Sequence, residues 1–440
     1  MSLATQKGFE KKEFKEFKFK EKVFFKTFGC RTNIYDTELL KSYVKDYELT
    51  NDENSAQIVV VNSCTVTNGA DSGVRSYISG LRKRGVKVIL TGCGAVSKGK
   101  DLLESKKVFG VLGASKKHEL NSFLSAKNSF FELGDLNFID KDIVLQYENH
   151  TKAFVKIQEG CDFACSYCII PAVRGKARSV SMAKILEQVK ILAQNGFNEL
   201  VLTGTNIGSY GLKEGLSLGV LLQKMGQIKG IKRIRLGSLE PVQIDNSFKE
   251  ILDEPWLEKH LHIALQHTSE KMLRIMRRRS HTKNDLALFN ELQGKGFALG
   301  TDFIVAHPGE SAEIWAEALA NFKDFKLTHL HAFIFSPRNN THSATLKNDI
   351  RGDIAKERLN ELKNIVKENN FKFRQGLKQR QKGLEVVVEN AKFDEKEQKY
   401  FEGFDEFYNK IKIYSNKNLE KEWLRLSDYE VKFDYNISNF

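Results

Sequence analysis

The stretch KIQEGCDFACSYCIIPAVRG, residues 156–175, decides how this chain is read. Cys161, Cys165 and Cys168 stand in C-x3-C-x2-C spacing, with no fourth cysteine close by. Iron–sulfur clusters are held by thiolates, normally four to a cubane. Three local ligands leave one iron open to an outside donor, as in a catalytic site rather than a closed structural one. The alternative is a zinc or structural site completed by a distant residue.

The strand candidate AFVKIQ (153–158) runs directly into these cysteines. Five more follow: ELVLTG (199–204), IKRIRLG (231–237), HLHIALQ (260–266), ALGTDFIVA (298–306) and THLHAFIF (328–335). Amphipathic stretches separate them. In the stretch 181–196, the apolar positions 182, 185, 186, 189 and 192 share one face. Ser181 is placed to cap that helix and Gly196 to end it. Strand–helix alternation predicts a parallel α/β architecture, and six units predict a barrel that curls without closing. Ligands of such folds sit at the carboxyl ends of the strands, where the three cysteines fall.

Upstream, KVFFKTF (22–28), QIVVVN (57–62), VKVILT (86–91) and KVFGVLG (107–113) alternate with helical spacing near 35–46, 71–84 and 95–106. This predicts a separate parallel α/β domain. Cys30, Cys64 and Cys93 each come just after one of its strands, so a parallel sheet would gather three thiols on one edge. Gly29 and Gly92 would allow close backbone approach there. A buried structural cysteine is the ordinary reading of each one alone, whereas three at strand ends point to a second metal cluster.

Downstream, residues 351–382 read as a helix with ten Lys/Arg against four Asp/Glu. LEVVVEN, QKYFEGF, NKIKIY and YEVKFDY then predict a small antiparallel β-barrel. The net charge of +13 over 440 residues favours a polyanionic partner, nucleic acid above all. No apolar run reaches the length of a membrane span, and the N-terminus lacks the apolar core of a secretory signal. The expectation is a cytoplasmic protein with reduced thiols and no membrane partner. FEKKEFKEFKFKEK near the N-terminus reads as a frayed end, with a short helix or added strand as alternatives.

Together these motifs resemble the radical S-adenosylmethionine (SAM) methylthiotransferases. The matching stretches include TFGCRTN (27–33), VNSCTVT (61–67), TGCGA (91–95), KIQEGCDFACSYCIIPAVRG, TGTNIGSYG (203–211), RLGSLEP (235–241), TDFIVAHPGE (301–310) and FSPRNNTHSA (335–344). The resemblance implies an N-terminal α/β domain (22–140) with an auxiliary 4Fe-4S cluster on Cys30, Cys64 and Cys93. It implies a radical SAM core (147–376) with a 4Fe-4S cluster on Cys161, Cys165 and Cys168, and an RNA-binding TRAM-like barrel (377–440). SAM would bind the open iron of the second cluster. A reducing electron donor would drive its cleavage to a 5′-deoxyadenosyl radical, and the auxiliary cluster would deliver the sulfur.

The resemblance also suggests Tyr167, Thr203, Gly204 and Asn206 around SAM, and Ser238, Glu240 and Gln266 join them as candidates from their place at the ends of the third and fourth strands, each with a packed or solvated strand-end residue as the plain alternative. KIQEGC and CSYCIIPAVRG look most like enzymes that methylthiolate C2 of N6-threonylcarbamoyladenosine beside the tRNA anticodon. Sister enzymes act on isopentenyl-adenosine in tRNA or on an aspartate of a ribosomal protein. Gln266–His267 and an acidic tail lean toward the ribosomal protein: residues 382–440 hold ten Lys/Arg and thirteen Asp/Glu, net −3. An RNA partner must then be held elsewhere. Arg274, Arg277, Arg278, Arg279, Lys378 and Arg380 are the candidates, with a solvated helix face as the alternative. A rival of another class is a non-catalytic metal-binding RNA chaperone. His329 and His331 share a strand face, as barrel-lining or packed residues or as a metal pair.

Overall fold

The computed structural model describes residues 20–148 and 150–440. Nearly all of the phenylalanine-rich N-terminal stretch lies outside them. The first region is a six-stranded, all-parallel sheet. Its strands are β1 (Lys22–Thr27), β2 (Glu48–Leu49), β3 (Ile58–Ser63), β4 (Lys87–Gly92), β5 (Gly110–Leu112) and β6 (Phe130–Glu132), in the order β2-β1-β3-β4-β5-β6. Its central strand β3 is buried along its whole length because both faces are covered. Val59 and Val61 pack with Val74, Ile78 and Leu102, whereas Ile58 and Val60 pack with Val23, Leu40 and Leu120. The short strands β2 and β6 carry too few residues to show an alternation in the sequence.

The first helix, α1, spans Arg31–Ser42 and starts earlier than its apolar spacing predicts, because Cys30 occupies the N-cap position. It serves two cores. Leu40 faces the first sheet, while Tyr35 and Leu39 enter the core of the second region.

The second region contains all six parallel strands expected from sequence: β7 (Ala153–Glu159), β9 (Glu199–Gly204), β10 (Arg233–Arg235), β11 (His260–His262), β12 (Ala298–Val305) and β13 (His329–Ile334). A two-residue strand, β8 (Arg178–Ser179), pairs antiparallel with β7. Hydrogen bonding runs β8-β7-β9-β10 and β11-β12-β13, and parallel bridges Ile234–Leu257 and Leu239–Ile263 join the two sets. No pairing joins β13 back to β7 among the described residues, so the barrel is an open arc. The helix Met182–Gln194 buries Ile185, Val189 and Leu192, and Gly196 follows it at φ +89°. Ser181 sits at its N-cap but makes no capping hydrogen bond, contrary to the sequence reading.

The helix Gly352–Gln379 runs along β13 to the third region. There β14 (Leu384–Phe393), β15 (Lys399–Phe404), β16 (Lys410–Tyr414), β17 (Trp423–Leu426), β18 (Glu430–Val431) and β19 (Asn436–Asn439) form a curled sheet of order β17-β14-β15-β16-β19-β18. It is antiparallel except at β16–β19, a parallel pair that the sequence reading did not contain. Among the described residues, no helix is long and apolar enough to cross a membrane.

Candidate metal and cofactor site

Strands β1, β3 and β4 are adjacent and in register, with Thr27 beside Asn62 and Asn62 beside Thr91. Their carboxyl ends therefore bring Cys30, Cys64 and Cys93 together. Cys30 stands at the N-cap position of α1 without a side-chain capping bond, and Cys93 is the first residue of the helix Cys93–Glu104. Helix N-termini favour the thiolate form of a cysteine. Both glycines singled out in the sequence are needed here. A Cβ on Gly29, at φ +100°, would come within 2.6 Å of Cys64 Cβ. One on Gly92, at φ +81°, would strike Asn62 Oδ1 at 2.3 Å. Burial pushes the Cys93 thiol up to about 11; Arg174 works against this, and Cys30 and Cys64 add to it.

The second triplet follows β7. Gln158 is buried and shapes the exit of that strand, donating to the carbonyl of Gly160 at 2.7 Å and accepting from the Asn206 amide at 2.8 Å. Asn206 Nδ2 then points at Cys161 Sγ, 3.6 Å away. Ser166 ties the cysteine loop to the turn after the helix Glu270–Ile275, donating to Ile275 O (3.0 Å) and to Met276 O (3.0 Å). Burial pushes the Cys168 thiol up to about 12, and the neighbouring Cys165 and Cys161 add to it. Each triplet is thus a set of free, mutually close thiols, with one guanidinium beside it, Arg174 at Cys93 and Arg278 at Cys165. A metal cluster is the partner that fits such a donor set.

Arg278 approaches the second triplet from the side. Its guanidinium lies 3.7 Å from Cys165 Sγ and pairs with both carboxylate oxygens of Glu240. Its side chain is only 2% exposed, so Arg278 is withdrawn from the nucleic-acid candidates. Arg274, Arg277, Arg279 and Arg380 are exposed, and Arg279 lies over the Phe163 ring in the cysteine loop. Lys378 is partly exposed but paired with Asp428 at 3.0 Å.

The other proposed SAM-side residues divide. Asn206 and Glu240 stand at the second triplet, and Tyr167 packs beside it with Met272, Met276 and Ile304. Thr203 is buried with its hydroxyl 3.0 Å from that of Thr32, two residues after Cys30, so it faces the first region. Gly204 sits where a Cβ would meet Gln158 O at 2.7 Å. Ser238 donates to Asp302 at 3.3 Å, and Gln266 takes φ +64° with its backbone bonded to β12.

The two triplets are joined by buried charge. Arg174, six residues after Cys168, donates to Cys93 Sγ (3.0 Å), Asp36 (2.9 Å), Glu159 (2.5 Å) and Asn33 (2.7 Å). Lys156 and Lys117 both contact Asp36 and Asp140. Arg31, next to Cys30, reaches across to Leu236 O. The first triplet is therefore docked against the strand ends that carry the second.

Residues 155–322 match the Radical SAM superfamily, and residues 22–113 match uncharacterized protein family UPF0004. A Helicobacter pylori protein (strain 26695), provisionally named a methylthiotransferase with no substrate in the name, is 46% identical over 414 residues, 94% of this chain and 98% of its own. The chain belongs to the radical SAM methylthiotransferase family. The threonylcarbamoyladenosine tRNA methylthiotransferase of Aquifex aeolicus is 37% identical, covering 84% of this chain and 93% of that protein. In fold, this methylthiotransferase is similar to the radical SAM methyltransferase TsrM of Kitasatospora setae. That match has a TM-score of 0.55 at 14% identity and covers 74% of this chain and 77% of that one.

Radical SAM methylthiotransferases use SAM and a 4Fe-4S cluster, and the thiols of this enzyme suit that chemistry. The sequence reading missed Arg174 and the charges around it. Arg174 lay in view within CIIPAVRG, but its partners Asp36 and Asn33 come from far upstream, with no local signal. The Gln266–His267 pair was noted in the sequence as leaning toward the ribosomal-protein enzymes. In this methylthiotransferase His267 is buried against Phe303 and accepts from the Ser269 amide at 3.0 Å.

Proposed function

We propose that this enzyme transfers a methylthio group to C2 of N6-threonylcarbamoyladenosine beside the anticodon of tRNA. The observation that carries the reading is the docking of two separate cysteine triplets against one another through Arg174. One-centre radical SAM chemistry needs only the triplet 161/165/168, whereas sulfur insertion needs a second carrier. Cys30, Cys64 and Cys93 are the residues that would hold it. The likeness to the Aquifex aeolicus enzyme supports the choice of base, and the charge of +13 supports a tRNA partner in the cytoplasm.

The bound cofactors supply a 5′-deoxyadenosyl radical, able to remove the non-acidic C2 hydrogen, and the sulfur to replace it. The protein residues prepare the site. Gln158 and Asn206 fix the first cysteine of the loop. Arg278 sets a positive charge beside Cys165 and is itself held by Glu240. Tyr167, with Met272 and Met276, closes that flank to water.

The test is anaerobic turnover of reconstituted protein with SAM, a reductant and tRNA bearing threonylcarbamoyladenosine. Mass spectrometry of the digested nucleosides should show the 2-methylthio derivative. Abundant 5′-deoxyadenosine with that nucleoside unchanged would overturn the substrate and favour isopentenyl-adenosine or the ribosomal-protein aspartate.

A further inference from the structure

Below the cofactor mouth the barrel lumen holds a second chemical centre. Strand β12 turns Gly300, Asp302 and Ile304 to one face by its period of two. Ile304 packs beside Tyr167 at the cysteine loop. Asp302 is two residues deeper, about 7 Å along the strand. Histidines from both neighbouring strands meet it there. His262 Nε2 on β11 lies 3.2 Å from Asp302 Oδ1, and His331 Nδ1 on β13 lies 3.5 Å from the same oxygen. One donor atom from each residue falls within a 4.8 Å cluster.

We propose that His262, Asp302 and His331 bind a divalent transition-metal ion, zinc or ferrous iron, separate from both iron–sulfur sites. Four observations lead there. The donor set, two imidazoles and one carboxylate, is one that zinc and non-haem iron take. The two histidine–carboxylate spacings, 3.2 Å and 3.5 Å, are close to the roughly 3.3 Å between neighbouring tetrahedral donors set by metal–donor bonds near 2.0–2.1 Å, and the third lies within 4.8 Å. His262 Nε2 is buried yet has no hydrogen-bond partner, although Asp302 is close, so the pair is not aligned as a simple hydrogen bond. Lastly, the surroundings hold the ligands in place. Ser238 donates to Asp302 Oδ2 (3.3 Å), leaving Oδ1 to the histidines. A Cβ on Gly300 would come within 3.0 Å of His262 Nδ1 and 2.9 Å of His329 Cβ, so only glycine leaves room for these rings.

The layer beneath is different. His260 and His329 pack against each other and against Tyr408 of the third region, with ring centroids 4.5 Å and 5.3 Å from His260. They form the floor of the site rather than ligands. The His331 side chain is 63% exposed, so the ion has access to the lumen. Three protein ligands leave a coordination position for an oxygen donor. On the tRNA reading above, that donor is the carboxylate or hydroxyl of the amino-acid substituent on the base; metal binding itself does not depend on that reading.

The experiment is zinc titration of fully cluster-loaded protein, in which iron occupies the cysteines, with a chromophoric chelator as competitor. One equivalent of zinc should bind to the wild type. Asp302→Asn, which preserves shape, and His331→Ala, at an exposed position, should each weaken it at least roughly tenfold with iron content unchanged. Zinc affinity equal in wild type and both variants would overturn the site and leave the cluster as an ion pair. Tight zinc binding with no effect on turnover would retain the site but remove the substrate-oxygen role. Turnover lost in both variants without zinc binding to wild type would overturn the metal and leave the tRNA reading standing.

Discussion

Arg174 Nε lies 3.0 Å from Cys93 Sγ, so a residue of the barrel's own cysteine segment supports the thiol at the far side of the domain junction. The same guanidinium reaches Asp36 and Asn33 on α1 and Glu159 at the end of β7. Its charge is stabilised by these acids although burial opposes it. One side chain thus fixes the relation between the two sulfur-rich edges.

Replacing Arg174 should therefore act on both edges at once. Arg174→Met leaves Asp36 and Glu159 short of a buried cation and should cost about 3–5 kcal/mol. Arg174→Lys keeps the charge but loses the planar fork and should recover only part of that. Denaturant melts of cluster-loaded protein measure the loss. A lysine variant as stable as wild type would show that charge alone suffices.

The cysteine triplets should separate in function. Cys165→Ala should abolish reductive cleavage of SAM. Cys64→Ala should leave cleavage in place and stop methylthio transfer. Iron content is measured alongside, because losing a ligand can destabilise the fold. Equal loss of cleavage in the two variants would contradict the division of labour.

The downstream triplet was legible in the sequence from its C-x3-C-x2-C spacing after a strand, and the upstream one because each of its cysteines follows a strand-forming run and parallel strands place all such ends on one edge. The six barrel strands were legible for the same reason. Asp36, Lys117, Asp140 and Lys156 were not. Each reads locally as an ordinary surface charge, and only the docking of α1 on β7 buries them together. Arg278 failed in the opposite way. It stands in a run of three arginines, and sequence carries no sign that the middle one turns inward to Glu240. His262 and His331 lie on strands separated in sequence by β12, so their meeting at Asp302 required the register.

The third region should carry a pH dependence of its own. Burial, aided by Glu406, pushes the Asp405 carboxyl up to about 7, while its hydrogen bonds from Asn409 pull it back. The folded form then holds a proton that the unfolded chain releases near pH 4. Its contribution is fullest at low pH and falls as pH rises toward 7, levelling above. Between pH 6 and 8 the loss should be about 1 kcal/mol. Asp405→Asn keeps an oxygen for the Phe407 and Asn409 amides and should flatten that slope. Denaturant melts at pH 6, 7 and 8 test it; parallel slopes in both proteins would place the titration elsewhere.

RNA binding should distinguish neighbouring arginines. Arg274 and Arg277 are exposed, whereas Arg278 is committed to Glu240 and Cys165. Each exposed arginine that meets a phosphate releases about one counterion. Arg274→Ala and Arg277→Ala should each lower the slope of log affinity against log salt by about 1, while SAM cleavage without tRNA stays unchanged. Arg278→Lys should do the reverse, impairing SAM cleavage with the salt slope kept. Filter binding of tRNA between low and physiological salt gives the slopes. If Arg278→Lys alone weakened tRNA binding, the inward orientation of that guanidinium would be wrong for the working enzyme.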